Sequence, residues 1–272
     1  MSLMLKQILR FKITIQTIID YWKVTLILSL LFSGMAAMYS GMYPAFKDMM
    51  GDLTETGSLD QFAFIPGYED MSSYVGFLNI EMYQIFWVLI LGIIIGFIAA
   101  SIIAKEIESK TIDLLMSNPV SRKQIIFERF VGLIPMVLII NFSAMFVLLG
   151  MTVLINESLN FWNLLLTHIT SLPYFFAVVA IGLFISTLVD EKMKASIITM
   201  AIIVGMFILD SIAHMIPDYD YIGFLSLKNY YNPYDSLKYG DVDVIGQIIL
   251  ISFTVILLII TMIYFQHRDI KV

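Results

Sequence analysis

The chain has 272 residues, of which 59% are hydrophobic and 14% are charged, and its mean hydropathy is +0.87. Soluble domains carry roughly 25% charged residues, so this composition excludes an ordinary soluble protein and predicts an integral membrane protein. The net charge of −6 is spread over the loops and gives no reason to expect nucleic acid as a partner. Because the sequence has no cysteine, disulfides, thiol chemistry and cysteine metal sites are excluded.

The first segment, 1–23, is basic and mixed in character. Its polar and apolar residues recur at helical spacing on roughly opposite sides, with Lys12 interrupting the apolar side. This pattern predicts an N-terminal interfacial helix on the inner membrane surface; a frayed polar tail is the alternative. No cleavable signal peptide is expected, because the first apolar run begins only after residue 22 and lacks an A-x-A exit.

Six apolar runs follow, each long enough to cross a bilayer, which takes about 20 residues in a helix. We expect one all-α membrane domain over 1–272, with no soluble domain attached. The predicted spans lie at about 24–43, 82–104, 131–155, 163–188, 195–216 and 244–265.

The distribution of basic residues predicts the orientation of these spans. Thirteen of the sixteen lysines and arginines fall in segments on the same side as the N-terminus, and three fall on the other side. Basic residues favour the cytoplasmic side. We therefore predict a multi-pass protein of the cytoplasmic membrane whose N- and C-termini, and whose charged segment 105–130, are cytoplasmic.

The segment 105–130 separates the second and third spans. Its first part has the pattern of a short amphipathic helix over 106–117, in which Glu106 and Lys110 have the favourable i,i+4 order. Pro119 ends this helix, because the residue before a proline is pushed out of helical geometry. Ser121 and Gln124 form a capping box that starts the next helix. A stiff cytoplasmic helix with an apolar stripe is suited to docking into a groove on another protein.

The stretch EIESKTIDLLMSNPVSRKQIIFERF resembles the signature loop of ABC-2-type transporter permeases. One position departs from the family pattern: Lys110 stands where the family usually has glycine, and we expect it to leave the helix intact. The matching positions are Glu106, Glu108, Thr111, Leu114, Leu115, Pro119, Val120, Ser121, Arg122 and, loosely, Arg129.

The resemblance implies an ABC-2, or type V exporter-like, fold in which this loop is a coupling helix seated in an ABC ATPase subunit. It also implies a second permease copy or a paralogous permease as partner. ATP and Mg would be bound by the ATPase, and this chain would bind no cofactor and would not be an enzyme; it has no G-x-x-x-x-G-K-[ST] phosphate loop. An ordinary solvated loop is the alternative. The residues assigned to ATPase coupling are Glu106, Glu108, Lys110, Thr111, Leu114, Leu115, Pro119, Ser121 and Arg122.

Small residues recur every four positions in the second span at Gly92, Gly96 and Ala100. This spacing lets helix backbones approach closely, and we favour packing within the chain over a subunit interface. Glu81, just before this span, is expected to be solvated at the outer surface, with an interaction with the external loop as the alternative.

Asp210 and His214 lie four residues apart in the fifth span and could form an intramembrane polar pair on an ion or proton route. Solvation by the following loop is the alternative. Since His168 and His267 are isolated in the sequence, no metal site is expected.

The segment 217–243 is rich in tyrosine, a residue that favours the depth of the lipid headgroups. We predict re-entrant or interfacial helices that form an outer lid between the fifth and sixth spans, with a plain external loop as the alternative.

These features together predict the permease subunit of an ATP-driven exporter. The spans have few fixed charges and many Phe, Met and Ile residues, which favours a hydrophobic or amphipathic substrate such as a drug, a peptide or a lipid-like molecule. Three alternatives remain: a channel or membrane scaffold, an ABC-2 permease for ions or other small solutes, and an intramembrane enzyme. Against an intramembrane enzyme, the sequence has no G-x-S nucleophile motif, and Tyr239-Gly240-Asp241 lacks the first glycine of a G-x-G-D motif.

Overall fold

A computed structural model describes residues 11–54, 67–111 and 120–269, with side chains in the first range described as far as residue 47. Over these ranges the chain is helical and contains no strand. The helices are α1 (Lys12–Thr54), α2 (Tyr74–Glu108), α3 (Arg122–Leu154), α4 (Phe161–Leu188), α5 (Lys192–Met215), the short α6 (Pro233–Tyr239) and α7 (Val244–His267).

Six of these helices, all except α6, contain a segment long and apolar enough to cross a membrane, which confirms the six predicted spans. Several helices extend well beyond the predicted limits. The spanning part of α2, for example, covers 35 residues. At 1.5 Å per residue, such a helix is about 50 Å long, so its ends project past a hydrocarbon core of about 30 Å.

The N-terminal segment differs from the prediction. Residues 12–23 do not form a separate helix but continue without a break into the first span as α1, which packs along α3. The carboxylate of Glu128 in α3 accepts hydrogen bonds from the N–H groups of Ile13 (2.9 Å) and Thr14 (3.1 Å). These bonds satisfy first-turn donors of α1, which accounts for a helix beginning at Lys12. The predicted interfacial helix otherwise falls on residues 1–10, outside the described residues.

Helix α2 contains a π-helical segment at Asn79–Leu91, an unusual length for a form that mostly occurs as single turns. This segment carries Tyr83 and Trp87 into the core beside His168 of α4. The Tyr83 hydroxyl lies 2.9 Å from Nε2 of His168, and the Trp87 and His168 rings are 5.1 Å apart. His168 is therefore not isolated, as the sequence suggested, but lies in a buried polar cluster.

The hydrogen bonds of Asn141 determine the tautomer of His168. Both of the hydrogen bonds donated by the Asn141 amide nitrogen are used, one to the His168 carbonyl (2.8 Å) and one to Ser171 (3.1 Å). The amide oxygen of Asn141 therefore accepts from Nδ1–H of His168. Nε2 is left to accept from the Tyr83 hydroxyl. The ring is therefore neutral, and both of its nitrogens form hydrogen bonds inside the bundle.

The small residues Gly92, Gly96 and Ala100 are all buried, and α2 packs against α4 and α5. A Cβ atom at Gly96 would lie 2.5 Å from Ile203 of α5. On the facing helix, a Cβ at Gly182 would lie 2.8 Å from the Gly96 carbonyl oxygen. The glycines thus let α2 approach both neighbours within the same chain.

At the end of the bundle opposite the start of α1, the tyrosine-rich segment forms two 3₁₀ helices, Pro217–Leu225 and Leu227–Tyr230, followed by α6. It is anchored on α4: the Tyr231 hydroxyl donates to the Thr167 carbonyl (3.2 Å), and Asn163 donates to the Lys238 carbonyl (3.2 Å). We call Pro217–Tyr239 the lid segment. That it enters the membrane stays a prediction.

Candidate functional site

The segment that resembles the signature loop begins at Glu106, in the last turn of α2, and the predicted helix over 106–117 ends earlier than expected. The helix stops at Glu108, and Lys110 adopts a left-handed conformation with φ of 56°. The N–H of Thr111 donates to the Glu106 carbonyl (2.9 Å) and the N–H of Lys110 donates to the Ile107 carbonyl (3.0 Å). These two bonds define a Schellman motif, which usually places glycine at the left-handed position.

The expectation that Lys110 leaves the helix intact is therefore wrong, and the predicted helix over 106–117 is interrupted at 109–110. Lys110 thus occupies the left-handed position of this cap, where glycine is the usual residue. The positions Leu114, Leu115 and Pro119 lie outside the described residues, as does the second half of the predicted helix over 106–117.

Glu106 pairs with Arg129 of α3 and not with Lys110. The Arg129 side chain is only 7% exposed; it also donates to the Thr17 hydroxyl (2.8 Å) and lies 4.0 Å from the Asp20 carboxylate. A single guanidinium thus joins α1, α2 and α3 at one end of the bundle. Sequence reasoning matched Arg129 only loosely to the family pattern and did not identify this role.

Glu108 is also used within the chain. Its carboxylate accepts a hydrogen bond from the backbone N–H of Lys192 (3.0 Å), which is the first residue of α5. The start of a helix has unpaired N–H groups and a partial positive charge. Glu108 therefore caps α5 from the end of α2.

Ser121 is the N-cap of α3 and accepts from the N–H of Gln124 (3.2 Å), which confirms the predicted serine cap. The second hydrogen bond of a capping box, between the Gln124 side chain and the Ser121 N–H, is replaced: the Gln124 amide instead donates to the carboxylate of Glu128. Gln124 thus contacts the same carboxylate that caps the start of α1.

Arg122 contacts the end of the last helix, α7. Its guanidinium donates to the carbonyl oxygens of Phe265 (3.3 Å) and Arg268, at the C-terminus of α7. Arg268 in turn donates to the Thr187 carbonyl at the end of α4 and pairs with Asp190. The arginine of the signature loop is therefore bonded to the last helix of this chain.

We call these five side chains the clamp: Glu106, Glu108, Arg122, Glu128 and Arg129. The clamp joins the segment between α2 and α3 to the ends of α1, α5 and α7, and Arg268 extends it to α4. Where a clamp residue meets a helix terminus, an acid faces an N-terminus and a base faces a C-terminus, which is the favourable sign for the helix dipole. Charge-assisted hydrogen bonds of this kind are also the stronger ones.

The turn beside the clamp is exposed. Lys110 and Thr111, on one side of 112–119, and Ser121 and Lys123, on the other, face away from the bundle. A cavity of about 400 Å³ opens next to this turn, and its lining includes Asp20, Lys105, Glu106 and Arg129. Among the predicted coupling residues that the structure describes, Lys110, Thr111 and Ser121 are free to meet a partner, whereas Glu106 and Arg122 are turned inward.

At the opposite end of the bundle, the structure brings together Asp210 and His214 and adds a third residue. Nδ1 of His214 lies 3.6 Å from the Asp210 carboxylate and 2.9 Å from the Asp210 carbonyl. The side chain of Lys228, from the lid segment, forms an ion pair with Asp210. Sequence reasoning missed Lys228, since a lysine in a polar loop gives no signal that it is buried.

Within the ranges that the structure describes, no group of three or more His, Asp and Glu side chains is placed to hold a metal ion. Directly after the lid segment, Gly240 adopts a left-handed conformation with φ of 70° and ends α6.

In the part of the chain that the structure describes, six helices are long and apolar enough to cross a membrane, as in a multi-pass membrane protein. Comparison with known protein families assigns it more narrowly: the family described as ABC-2 family transporter protein matches residues 12–270. The chain therefore belongs to the ABC-2 transporter family, a family of membrane transport subunits. No curated protein matches the chain significantly.

Proposed function

We propose that this chain is the permease subunit of an ATP-driven exporter, which works with a separate ABC ATPase and with a second permease copy or a paralogous permease. ATP and Mg are bound by the ATPase. The N-terminal end of the bundle faces the cytoplasm, and a hydrophobic or amphipathic substrate moves outward.

The observation that carries this proposal is the clamp. An exposed turn, Lys110–Thr111, lies directly beside side chains that bond to the ends of three other helices. A force applied to this turn would reach α1 through Arg129, α5 through Glu108 and α7 through Arg122. A channel or scaffold would have no need for such a connection between one exposed turn and most of the spans.

The contacts divide the predicted coupling residues into two roles. Lys110, Thr111 and Ser121 meet the ATPase, together with the segment 112–119. Glu106, Glu108 and Arg122 transmit the resulting movement within the permease. The first group should therefore affect binding of the ATPase, and the second should affect transport more than binding.

The test is to co-express the chain with candidate ABC ATPases, purify the complex in lipid, and measure both complex formation and ATP hydrolysis. Lys110→Glu combined with Thr111→Arg should weaken complex formation. Arg122→Met should leave the complex intact and lower the hydrolysis that is coupled to transport. Lys194→Glu is the control, since Lys194 is exposed at the start of α5 and makes only a surface ion pair. Wild-type complex formation and ATP hydrolysis in both the loop variant and Arg122→Met would contradict the proposal.

A further inference from the structure

One acid in the membrane-spanning helices has no partner. Within the six apolar helical segments, every other described carboxylate forms an ion pair or accepts a hydrogen bond. Glu81 in α2 forms neither and is only partly exposed. The five acids that do have partners are Asp20, Glu106, Glu108, Glu128 and Asp210.

An ionised carboxylate that loses water without gaining a partner is costly, and an ionisable residue in a membrane-spanning segment is a candidate functional group. Glu81 lies near the start of the π-helical segment of α2. Such segments occur frequently at functional sites. The expectation that Glu81 is simply solvated does not match its partial burial.

Glu81 lies at the head of an apolar stripe. In this segment, the side that carries Met82, Tyr83 and Trp87 is buried in the bundle. The other side is partly exposed along α2 and is apolar below Glu81, where it consists of Ile85, Phe86, Leu89 and Ile90. This partly exposed side of α2 is therefore amphipathic along its length, with the negative charge of Glu81 at one end and the apolar stripe below it.

An aromatic pair lies next along the stripe. The rings of Tyr39 in α1 and Phe86 in α2 have centroids 5.1 Å apart; Tyr39 is a buried core residue, and Phe86 is partly exposed on the stripe. Aromatic faces attract cations, most strongly where water is excluded. In α1, Met38 and Met42 are 44% and 53% exposed. Methionine adapts to varied apolar shapes.

We infer that Glu81, with Phe86, binds the charged head of an amphipathic cation whose apolar body lies along the stripe. The carboxylate supplies the missing opposite charge, the partly exposed Phe86 ring adds cation–π attraction, and the stripe removes apolar surface from water. This inference rests on the proposed function only in that the bound cation would be the exported substrate. It narrows the substrate class from hydrophobic molecules in general to positively charged ones.

Binding is tested on the purified permease without an ATPase, so the result is independent of whether the chain forms an ABC complex. The probe is tetraphenylphosphonium, and triphenylphosphine oxide is the uncharged comparison. Glu81→Gln should weaken phosphonium binding by about tenfold or more and leave binding of the oxide unchanged. Glu69→Gln is the matched control, because Glu69 is an exposed acid in the segment that precedes α2. Equal phosphonium binding by wild type and Glu81→Gln would overturn the inference, as would an equal loss for both probes.

A second measurement uses the wild-type chain and does not depend on the folding of a variant. Dicyclohexylcarbodiimide reacts with carboxyl groups in apolar surroundings, and the modified residue can be found by mass spectrometry. Glu81 should be labelled, and tetraphenylphosphonium should protect it while the uncharged oxide does not. Labelling that the phosphonium leaves unchanged would overturn the inference.

Discussion

The buried ion pair between Asp210 and Lys228 gives the sharpest energetic prediction. Asp210 is fully buried in α5, and the Lys228 side chain is 6% exposed. The second carboxylate oxygen of Asp210 has no hydrogen-bond partner, so Lys228 compensates most of this charge. The substitution Lys228→Met keeps an unbranched side chain that is one atom shorter and removes the positive charge together with its hydrogen bond to Asp210.

Removing one partner of a buried pair leaves an uncompensated charge and costs about 3–5 kcal/mol. For a chain of this size, that corresponds to a fall of roughly 10 °C in the unfolding midpoint. Replacing both groups by apolar ones, Asp210→Leu with Lys228→Met, should cost far less, because no charge is then left buried. His214 keeps its bond to the Asp210 backbone carbonyl in each variant.

The assay is thermal or denaturant unfolding of the purified protein in one detergent, analysed as a double-mutant cycle. Lys194→Met is the control and should change stability by less than about 1 kcal/mol, since Lys194 forms only an exposed pair. A loss of stability for Lys228→Met as small as the loss for Lys194→Met would refute the predicted cost of the unpaired charge. It is also refuted if the double variant loses the sum of the two single losses.

Three further predictions concern single residues. Lys110→Gly should raise stability by about 1 kcal/mol, since glycine has no left-handed penalty; an unfolding midpoint equal to or below wild type would count against the helix cap. Arg122→Met should speed hydrogen exchange at the C-terminal turn of α7, measured by mass spectrometry, and an unchanged rate would show that the turn does not need Arg122. The hydroxyl of Tyr234, followed by the carboxylate of Asp70, raises the pKa of Lys238 above its ordinary value of 10.5. The stability that Lys238 contributes should therefore be complete below that ordinary value and be lost only as the pH rises through the raised pKa. Unfolding midpoints measured against pH should show this late alkaline loss in wild type and not in Lys238→Met.

The sequence predicted the features that depend on local pattern. Apolar run length located the six spans, because the bilayer imposes that length directly. The serine at 121 was predicted as a helix cap, since the cap depends on residues three positions apart. The extent of the helices was predicted less well: α1 starts at Lys12 because Glu128, more than one hundred residues away, caps it.

The clamp could not be predicted, because its partners are distant in the chain. Glu108 and Lys192 are 84 positions apart, and Arg122 and Phe265 are 143 positions apart. A charged loop residue bonded to a helix end looks the same in sequence as a solvated one. The end of α2 at Glu108 was a different kind of miss: helix propensity favoured lysine at position 110, and the backbone bonds of the cap outweighed it.

The exposed turn after α2 is proposed to be the contact point for an ATPase. The most direct measurement places a single cysteine at position 111 of this naturally cysteine-free chain and adds a short thiol–amine cross-linker to membranes that also contain the candidate ATPase. The proposal predicts a cross-link to the ATPase that changes when ATP is added, and no reaction of this cysteine with a membrane-impermeant maleimide in intact cells. Labelling from outside the cell, with no cross-link to any co-expressed ATPase, would contradict it.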